Sequence, residues 1–405
     1  MLRFLTAGES HGQALVAILE GMPAGLQLDM DGVTAQLRRR QGGYGRGRRM
    51  AIESDRAQVI GGVRFGRTTG GPIALLIPNK DWENWQRTMA VEAEPSATTP
   101  GADRPPVTRP RPGHADLAGS IKYGHDDLRN VLERASARET AARVAIGAVA
   151  RQLLHCVKTE IVSHVTRIGS VAVDDPIRIS FENVLNLPAD SALRCAIPDV
   201  ERRMISEIDR AREAGDTVGG SFEVIARGVP AGLGSHVHWD RKLDGRLAQA
   251  LMSIPAIKAV GIGLGAEVAT LPGSRVHDEI VLAVAAASPT QMPVARPSNN
   301  AGGLEGGISN GEELRVTAYM KPIATLMKPL RSVDLSTMEL SPAAIERSDV
   351  CAVPAAAVVG EAVVALTLAG ALIEKFGGDS VNELLDNWTS FRTRTAARFA
   401  RTYTR

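Results

Sequence analysis

An internal repeat constrains the fold of this chain more than any other feature of its sequence. The segment 12–26, GQALVAILEGMPAGL, aligns without gaps to the segment 219–233, GGSFEVIARGVPAGL. Each copy has the pattern of a strand, ends in a glycine-rich turn and precedes a helical pattern. A second pair follows in the same order, namely Thr69–Gly71 with the strand Ile73–Ile77, and Ser309–Gly311 with the strand Leu314–Tyr319. The chain is therefore predicted to consist of two related halves that share one core over residues 1–405.

Periodicity and turn residues predict the remaining elements. Asp29 or Asp31 is expected to cap a helix, and Asp240 is expected to open the corresponding helix of the second half. Apolar residues on several faces predict a closely packed central helix over 137–155. Other predicted elements are the amphipathic helix Pro198–Ala214 and the strands Val59–Phe65, Glu160–Ile168 and Val260–Val268. Short turns between strands favour an α+β fold with antiparallel sheets packed around central helices.

The composition fits a globular protein that acts on small molecules rather than on nucleic acid. The 405 residues are 44% hydrophobic and 23% charged, which is enough apolar surface for a large core. The formal net charge of +2 is too small for binding nucleic acid by bulk electrostatics, so a preference for anions must come from local clusters. The most apolar segment, 350–373, is interrupted by Pro354, Glu361 and two glycines. It is therefore predicted to be a buried helix rather than a membrane span.

Cysteine spacing and the N-terminal segment favour a cytoplasmic protein without a metal site. The three cysteines are scattered and show no Cys-x-x-Cys spacing, which argues against a disulfide framework and against structural zinc. The first residues, MLRFLTAGESH, contain no apolar signal core. His236 and His238 have no third ligand nearby in sequence, so they are predicted to be surface histidines.

A glycine-rich stretch in the second half has the composition of a phosphate-binding loop. Five glycines occur from Asn299 to Gly311, and they permit backbone N–H groups to approach a ligand closely. The strand after them leads to Lys321 and Thr325, a cation and a hydroxyl, and Pro322 ends its pairing. These features suit a phosphorylated cofactor. A flexible hairpin with a lysine at its exit explains the same stretch, and on this segment alone it is the preferred interpretation, because short motifs often match by chance.

A second candidate for anion binding lies at the end of the first helical pattern. No acidic residue occurs between Asp31 and Glu53, and glycines alternate with the basic residues. Guanidinium groups bind phosphate and carboxylate through paired hydrogen bonds. The preferred ligand is a small polyanion, and the alternatives are a solvated helix end or an RNA-binding patch. The six arginines of this cluster are Arg38, Arg39, Arg40, Arg46, Arg48 and Arg49.

Two histidines are candidates for proton transfer. His11 and His114 each lie in a glycine-flanked polar loop near arginines, and histidine titrates near neutrality. The segment Gly8–Gly12 matches the Gly-x-Ser-x-Gly pattern of serine hydrolases, but that motif needs a helix after the serine, and here a strand follows. Asp349 directly precedes the apolar segment 350–373, where a helix cap is the default interpretation.

Residues 86–111 form a long proline-rich stretch without periodicity. Loops of this length in compact domains are usually lids, binding loops or disordered segments. The stretch ends three residues before His114, and this placement favours a lid.

Several blocks of the sequence, taken together, resemble those of the chorismate synthase family. Because the blocks span nearly the whole chain in the family's order, the resemblance is far more specific than any single motif. It implies conversion of 5-enolpyruvylshikimate 3-phosphate to chorismate and phosphate, the last shared step toward aromatic amino acids. The blocks are Gly8–Gly12, 38–47, Arg111–Asp116, 134–141, Gly215–Gly220, Asn300–Gly311, Lys321–Thr325 and Arg347–Asp349.

The resemblance also implies a fold, an assembly and a cofactor. Members of the family form homotetramers of a compact β-α-β sandwich, and they need reduced FMN although the reaction has no net redox change. By resemblance His11 and His114 would handle protons, and Asp349 would help to remove the C6 proton beside the flavin. Positions that match those holding FMN are Arg134, Ser136, Gln249, Ala250, Gly306, Lys321, Ile323, Ala324, Thr325 and Arg347.

Arginines of the basic cluster are candidates for binding either NADPH or the substrate. Arg40 and Arg46 match positions assigned to NADPH in relatives, and together with Arg48 and Arg134 they are candidates for holding the substrate. The chain departs from the family pattern in the long 86–111 loop and at Val350, where many relatives have proline.

Two other classes of function stay open on the sequence. A flavin oxidoreductase would share the FMN site but would oxidise its substrate stoichiometrically. An RNA-binding module would use the arginine–glycine segment. The sequence also leaves open whether the chain reduces its own FMN with NADPH or relies on an external reductant.

Overall fold

The structure, a computed structural model, describes residues 1–46, 55–92, 104–188, 191–283, 294–346 and 348–400. Two candidate site residues, Arg48 and Arg347, lie outside these ranges. The strands are β1 (Arg3–Ala7), β2 (Ala14–Glu20), β3 (Gln58–Gly61), β4 (Val63–Arg64), β5 (Arg67–Thr68), β6 (Ile73–Pro78), β7 (Glu160–Ile168), β8 (Val171–Ala172), β9 (Gly220–Arg227), β10 (Ile257–Ile262), β11 (Val281–Leu282), β12 (Val294–Ala295), β13 (Leu304–Glu305), β14 (Ile308–Ser309), β15 (Leu314–Met320), β16 (Arg331–Asp334) and β17 (Glu339–Pro342). The α-helices are α1 (Met30–Gln41), α2 (Asp116–Tyr123), α3 (Arg129–Leu132), α4 (Thr140–Cys156), α5 (Phe181–Leu185), α6 (Pro198–Glu213), α7 (Leu243–Met252), α8 (Gly273–Val276), α9 (Val353–Phe376) and α10 (Val381–Ala400).

The two main sheets repeat one strand order. The first has the order β1-β2-β6-β3, and the second has the order β10-β15-β9-β7-β8. Read from its opposite edge and without the short strand β8, the second sheet has the order β7-β9-β15-β10. In both sheets the neighbours are therefore the first, second, fourth and third of these strands along the chain. Every one of these neighbouring pairs is antiparallel, as the predicted α+β class requires. That the two halves are related stays a prediction, which the shared strand order supports.

Helices α4 and α9 lie at the centre of the molecule. Helix α4 contacts β2 and β6 of the first sheet as well as β7 of the second, and α9 contacts β7 and β9. Where the two helices meet, a Cβ atom added to Gly147 would lie 2.4 Å from the Cβ atom of Ala362. Such a close approach leaves no room for larger side chains, which explains why both helices are rich in alanine and glycine.

Helix α9 is the buried helix that the sequence predicts over 350–373. In the part of the chain that the structure describes, it is long and apolar enough to cross a membrane by length and composition, and 89% of its apolar window is buried inside the protein. The core helix of a soluble protein passes the same test.

The predicted N-cap of the first helix is confirmed, whereas the predicted start of the corresponding helix in the second half is wrong. Asp29 is the N-cap of α1, and its side chain accepts the N–H of Gly32 at 2.9 Å. Asp240 does not open α7, because it lies in a 3-10 turn and its Oδ1 is 2.7 Å from His238 Nδ1. Helix α7 begins only at Leu243.

Two predicted strands are shorter than the sequence pattern suggests, and glycine is the reason in both. The predicted strand Val260–Val268 ends as β10 at Ile262, because Gly263 adopts a φ of 57° and the chain continues as a 3-10 helix. The predicted strand Val59–Phe65 is divided at Gly62, which has a φ of 81°. Residues other than glycine rarely adopt these φ angles. A backbone with such an angle cannot continue the extended conformation of a strand, so sheet pairing ends at both positions.

A buried charge network joins three helices and one strand of the core. Glu361 of α9 is 1% exposed, and its carboxylate accepts two hydrogen bonds from Arg39 of α1 at 2.7 Å each. Arg151 of α4 donates to the same carboxylate, and Ser163 of β7 donates at 2.6 Å. Burial raises the pKa of Glu361, but the charges of Arg39 and Arg151 and the hydrogen bonds outweigh burial and lower the pKa to about 2. The network therefore holds an ionised carboxylate inside the core.

The substitution Glu361→Gln is expected to lower the free energy of unfolding by ~3–5 kcal/mol near neutral pH, because two guanidinium groups lose their shared buried acceptor. Since the folded-state pKa lies below the ordinary value of 4.5, the stabilising contribution is complete above pH 4.5 and is lost as the pH falls toward 2. The difference in unfolding free energy between wild type and variant should therefore shrink over that range, as measured by denaturant unfolding at a series of pH values.

The control for this measurement lies on the same helix. The carboxylate of Glu374 pairs with Arg246 at the surface at 2.7 Å. Because exposed ion pairs contribute little, Glu374→Gln should change the unfolding free energy by less than about 1 kcal/mol. A difference between wild type and Glu361→Gln that does not vary with pH would contradict the assigned role of Glu361.

Candidate active site

His11 lies in the loop between β1 and β2, and two side chains hold its imidazole ring, one at an edge and one on a face. Its backbone N–H donates to Glu133 Oε2 at 2.8 Å, and its Nδ1 lies 2.8 Å from Oε1 and 3.0 Å from Oε2 of the same carboxylate. The imidazole stacks on Trp85 with ring centroids 3.8 Å apart and an angle of 17° between the planes. The guanidinium of Arg104 covers the Trp85 ring at 3.8 Å from its centroid. Glu133 and Trp85 are both buried, so the orientation of the imidazole is fixed.

The loop that carries His11 is tied to the turn in front of α4. The N–H of Ser10 donates to the carbonyl of Glu133 at 3.0 Å, and Ser136 Oγ donates to Ser10 Oγ at 3.2 Å. Arg134 donates to the carbonyl of Gly8 in the same loop at 3.1 Å and to the carbonyl of Thr6 in β1 at 2.9 Å. Two of the candidates for FMN binding, Arg134 and Ser136, therefore lie beside His11.

Arg40 connects the end of α1 to the start of α4. It is 3% exposed, and its Nε donates to Thr140 Oγ1 at 3.1 Å. Its Nη2 donates to the carbonyls of Ala137 and Arg138 at 3.4 and 3.5 Å. A guanidinium with these contacts positions the turn that presents Ser136.

His114 belongs to a second cluster, at the start of α2. Its Nδ1 lies 2.5 Å from Asp116 Oδ1 and 3.0 Å from Arg111 Nη2. Arg111 also donates to Asp116 through Nε at 2.8 Å and Nη2 at 3.0 Å, and to Thr325 Oγ1 at 3.0 Å. Burial raises the pKa of the Asp116 carboxyl, but the hydrogen bonds from His114 and Arg111 outweigh burial and hold the pKa well below its usual range. Asp116 is therefore an ionised acceptor that orients the His114 ring.

Lys321 lies against the loop that carries His114. Its Nζ donates to the carbonyl of Gly113 at 2.9 Å, and its backbone N–H donates to the carbonyl of Ala256 at 2.9 Å. Burial lowers the pKa of the Lys321 ammonium, and the charge of Lys258 lowers it further. Because burial and a second cation both disfavour the charge of Lys321, an anion would be stabilised beside it.

Asp349 does not cap α9, so that default interpretation is wrong. The N-cap of the helix is Ala352. Asp349 Oδ2 instead accepts a hydrogen bond from Arg46 Nη1 at 2.5 Å. The N–H of Val350 donates to the carbonyl of Gly45 at 2.9 Å, which keeps the two segments side by side. Arg46 and Asp349, distant in sequence, form one ion pair.

A path made of contacts and of chain segments connects these clusters. From Arg46 and Asp349 it passes along the ends of β9 and β15 and reaches the loop of His114. In the other direction the chain itself runs from Arg46 back to Arg40 at the end of α1, and Arg40 contacts the turn before α4, which contacts the loop of His11. The contacts of the first part are Gly45 with Val350, Val350 with Val218 at 3.0 Å, Gly220 with Met320, and Lys321 with Gly113.

Comparisons with known proteins give this arrangement a family. The family model "Chorismate synthase" matches residues 2–373. The chain is 58% identical over 392 residues to the chorismate synthase of Moorella thermoacetica, with 97% of this chain and 98% of that protein covered. It is 55% identical over 390 residues to that of Thermobifida fusca, with 96% and 97% covered. The chain belongs to the chorismate synthase family.

Structural similarity agrees with the family assignment. A solved structure described as "Crystal Structure of Chorismate Synthase" aligns with a TM-score of 0.76 at 42% identity and covers 98% of both chains. As a chorismate synthase family member the enzyme is a lyase that removes phosphate from 5-enolpyruvylshikimate 3-phosphate, and it acts in the shikimate pathway.

Two further FMN candidates lie at the end of α7, close to the path. The carbonyl of Ala250 accepts from Ser253 Oγ at 2.6 Å, and Arg143 of α4 donates to that same Oγ at 2.8 Å. Gln249 precedes Ala250 and is exposed. Because Ala256 contacts Lys321, this end of α7 lies at the Lys321 end of β15.

Gly306 is the candidate that the structure does not bring to the others. It lies in the turn between β13 and β14, next to the start of α7, where the N–H of Leu243 donates to the carbonyl of Gly307 at 2.9 Å. Strand β15 runs from Leu314, on this side, to Met320 beside Lys321. Six residue steps along a strand correspond to about 20 Å, so Gly306 and Lys321 lie at opposite ends within one chain.

Several residues of the site are absent from the sequence-based assignment. Glu133 and Trp85 hold His11, although both are far from it in sequence. Asn79 donates to two carbonyls of the His11 loop at 3.2 and 2.6 Å, and Arg138 holds the Asn79 side chain. Glu133 directly precedes the family block at 134–141, but no spacing relates it to His11.

Proposed function

We propose that this lyase works with reduced FMN and catalyses a 1,4-elimination, in which 5-enolpyruvylshikimate 3-phosphate loses its phosphate and its C6 proton without net redox change. The observation that carries the proposal is the path of contacts and chain segments that links His11, Asp349, Lys321 and His114. NADPH is the proposed reductant of the flavin. The proposed assembly is a homotetramer in the cytoplasm, built from the sandwich of two sheets around α4 and α9.

The Lys321 end of β15 has the chemistry that a phosphorylated cofactor needs. The lowered pKa of Lys321, caused by burial and by Lys258, means that an anionic group would stabilise both cations there. Thr325 adds a hydroxyl at this end, and Arg134, which lies beside the His11 loop, is proposed to add a guanidinium. Bound here, reduced FMN would supply an electron-rich ring that stabilises a substrate losing phosphate. The residues proposed to hold FMN are Arg134, Ser136, Gln249, Ala250, Lys321, Ile323, Ala324, Thr325 and Arg347.

Gly306 enters this proposal only through the assembly. Because it lies at the opposite end of β15 from Lys321, a flavin held by Lys321 cannot contact the Gly306 of the same chain. In the proposed homotetramer a second copy would supply it.

The side chains of this protein would divide the work of the elimination among them. His11 and His114 would hold and transfer protons near the departing phosphate, each with its Nδ1 fixed by a carboxylate. Asp349 would assist removal of the C6 proton, with Arg46 holding its carboxylate in place. The substrate carries two carboxylates and a phosphate, so Arg46, Arg40 and Arg48 are proposed to hold substrate or NADPH by their positive charge.

The 86–111 loop is proposed to shield the site. The part of this loop from 104 to 111 extends from the surroundings of His11 to those of His114. Arg104 covers Trp85, which stacks on His11, and Arg111 holds Asp116, which contacts His114. Between them, Val107 is bonded to the segment before α3. Its carbonyl accepts the N–H of Leu128 at 2.9 Å, and its own N–H donates to Asp127 Oδ1 at 2.8 Å. The middle of the loop, 93–103, lies outside the described residues.

Anaerobic release of phosphate from 5-enolpyruvylshikimate 3-phosphate tests this proposal. With FMN reduced beforehand, we expect catalytic phosphate release and chorismate formation with no net consumption of reductant. With oxidised FMN and NADPH instead, phosphate release would show that the chain reduces its own flavin, and its absence would assign the reduction to an external donor.

Other outcomes of the same assay would identify the alternative functions. Consumption of reduced flavin in proportion to product would indicate an oxidoreductase and overturn the proposal. Phosphate release that does not require FMN would overturn the cofactor assignment. Salt-dependent binding of generic RNA that FMN does not displace would favour the RNA-binding alternative.

A further inference from the structure

We infer that Glu133 is a positioning residue for His11, which holds the imidazole with a proton on Nδ1 and presents Nε2 to the reaction. The inference rests on the proposed role of His11 in proton transfer. It assigns a function to a buried carboxylate that does not itself reach the substrate.

Glu133 engages the His11 segment at three points. Its Oε1 and Oε2 both lie within 3.0 Å of Nδ1, and Oε2 also accepts the backbone N–H of His11 at 2.8 Å. Its own carbonyl accepts the N–H of Ser10 at 3.0 Å. The Glu133 side chain is 1% exposed, so water cannot compete for these contacts. The carboxylate is therefore built into the loop that carries the histidine.

This contact determines which ring nitrogen carries the proton. A carboxylate can only accept hydrogen bonds, so the nitrogen that faces it must be a donor. In neutral imidazole one nitrogen donates and the other accepts, and a proton on Nδ1 leaves the lone pair on Nε2. The geometry of the ring directs Nε2 away from Glu133, so Nε2 gains and loses the exchangeable proton.

Trp85 fixes the plane of the imidazole ring. The two ring planes lie 17° apart with centroids at 3.8 Å, so the indole covers one face of the imidazole. Arg104 and Arg129 in turn lie near the indole, at 3.8 and 5.6 Å from its centroid. With one edge bound by Glu133 and one face covered by Trp85, a single orientation of His11 satisfies all of these contacts.

The other candidate histidine also faces a buried carboxylate through Nδ1, although Arg111 Nη2 lies 3.0 Å from the same nitrogen. His114 Nδ1 lies 2.5 Å from Asp116, whose side chain is also 1% exposed. A third buried pair is different: His164 contacts Glu223 through Nε2 at 3.0 Å, inside the second sheet. Both proposed proton carriers thus use Nδ1 for orientation, whereas the histidine in the sheet does not, which separates the two kinds of pair.

The substitution Glu133→Gln tests the inference because it keeps the size of the side chain and changes what the side chain offers to Nδ1. The glutamine oxygen can still accept the backbone N–H of His11, but its NH2 group must then donate to Nδ1, which places the ring proton on Nε2. We expect turnover to fall by about 10²–10⁴-fold, the range found when the wrong tautomer is imposed or an acid–base group is lost.

A double-mutant cycle with His11→Ala distinguishes positioning from a general structural effect. If Glu133 acts through His11, the double variant should be no slower than His11→Ala alone, because the two residues work as a unit. Independent structural damage would instead multiply the two losses. The matched control is Glu223→Gln, which breaks a buried histidine–glutamate pair in the sheet and should leave turnover unchanged.

The tautomer itself provides a readout that does not depend on activity. With 15N-labelled histidine, long-range 1H–15N spectra identify which nitrogen of His11 is protonated, and His11→Ala assigns the signal by its disappearance. We expect Nδ1–H in the wild type and Nε2–H in Glu133→Gln. If Glu133→Gln does not fold, Glu133→Asp replaces it, with the Nδ1–H tautomer retained and an intermediate loss of turnover expected.

The outcomes separate this inference from the proposed function. Near-full turnover of His11→Ala would remove His11 from the mechanism and overturn the proposed function at this residue. A slow His11→Ala beside a fast Glu133→Gln would overturn only the inference. So would multiplied losses in the cycle, or an unchanged tautomer in Glu133→Gln.

Discussion

Replacing His114 with alanine is expected to lower turnover by about 10²–10⁴-fold while the fold remains intact, because the variant lacks a positioned proton carrier beside the proposed phosphate site. Folding should survive because Asp116 keeps three hydrogen bonds from Arg111, through the backbone N–H, Nε and Nη2. The buried carboxylate of Asp116 therefore keeps its hydrogen bonds and its positively charged partner in the variant. The measurement is the anaerobic rate of phosphate release with saturating substrate and reduced FMN, together with the melting temperature of the variant.

A surface pair with the same spacing provides the control for His114→Ala. His238 Nδ1 lies 2.7 Å from Asp240 Oδ1, also two residues further along the chain, but both side chains are exposed and neither contacts the candidate site. The variant His238→Ala should therefore keep full turnover. If His114→Ala also keeps it, His114 has no part in the chemistry.

Much of the fold follows from local patterns in the sequence. The bounds of β7 are those predicted, Glu160–Ile168, because β-branched residues occupy five of its nine positions and no glycine or proline interrupts them. Asp29 caps α1 because its short carboxylate reaches the N–H of Gly32. Predictions fail where a local signal competes with a turn, as at Gly62 and Gly263, whose positive φ angles end strands.

The candidate site is only partly predictable, because its defining contacts are not local. Glu133 and His11 are 122 positions apart, so no spacing could relate them. The sequence also assigns every clustered arginine to anion binding, whereas the fold uses Arg39 for structure. Arg39 pairs with the buried Glu361. A guanidinium suits buried carboxylates and bound anions equally, and only its burial distinguishes the two uses.

Asp349→Asn is expected to lower turnover by about 10²–10⁴-fold if the carboxylate assists removal of the C6 proton, because asparagine keeps the shape and loses the basic oxygen. The Asp349 side chain is largely enclosed, its Oδ2 is held by Arg46 at 2.5 Å, and Val350 is fixed to Gly45. The amide oxygen can still accept from Arg46, so the segment should keep its position. Single-turnover rates with ordinary substrate and with substrate deuterated at C6 measure the effect, and the isotope effect should rise in the variant.

The competing explanation is that Asp349 serves only to place Arg46 for substrate binding. In that case Arg46→Gln should mimic Asp349→Asn, and both should weaken substrate affinity without raising the isotope effect, since proton removal would be unchanged in the bound state. If Asp349 is the group that assists proton removal, Arg46→Gln should chiefly raise KM, whereas Asp349→Asn should chiefly lower kcat. If Arg46→Gln and Asp349→Asn raise KM equally and leave the isotope effect unchanged, Asp349 and Arg46 act in substrate binding and not in proton removal.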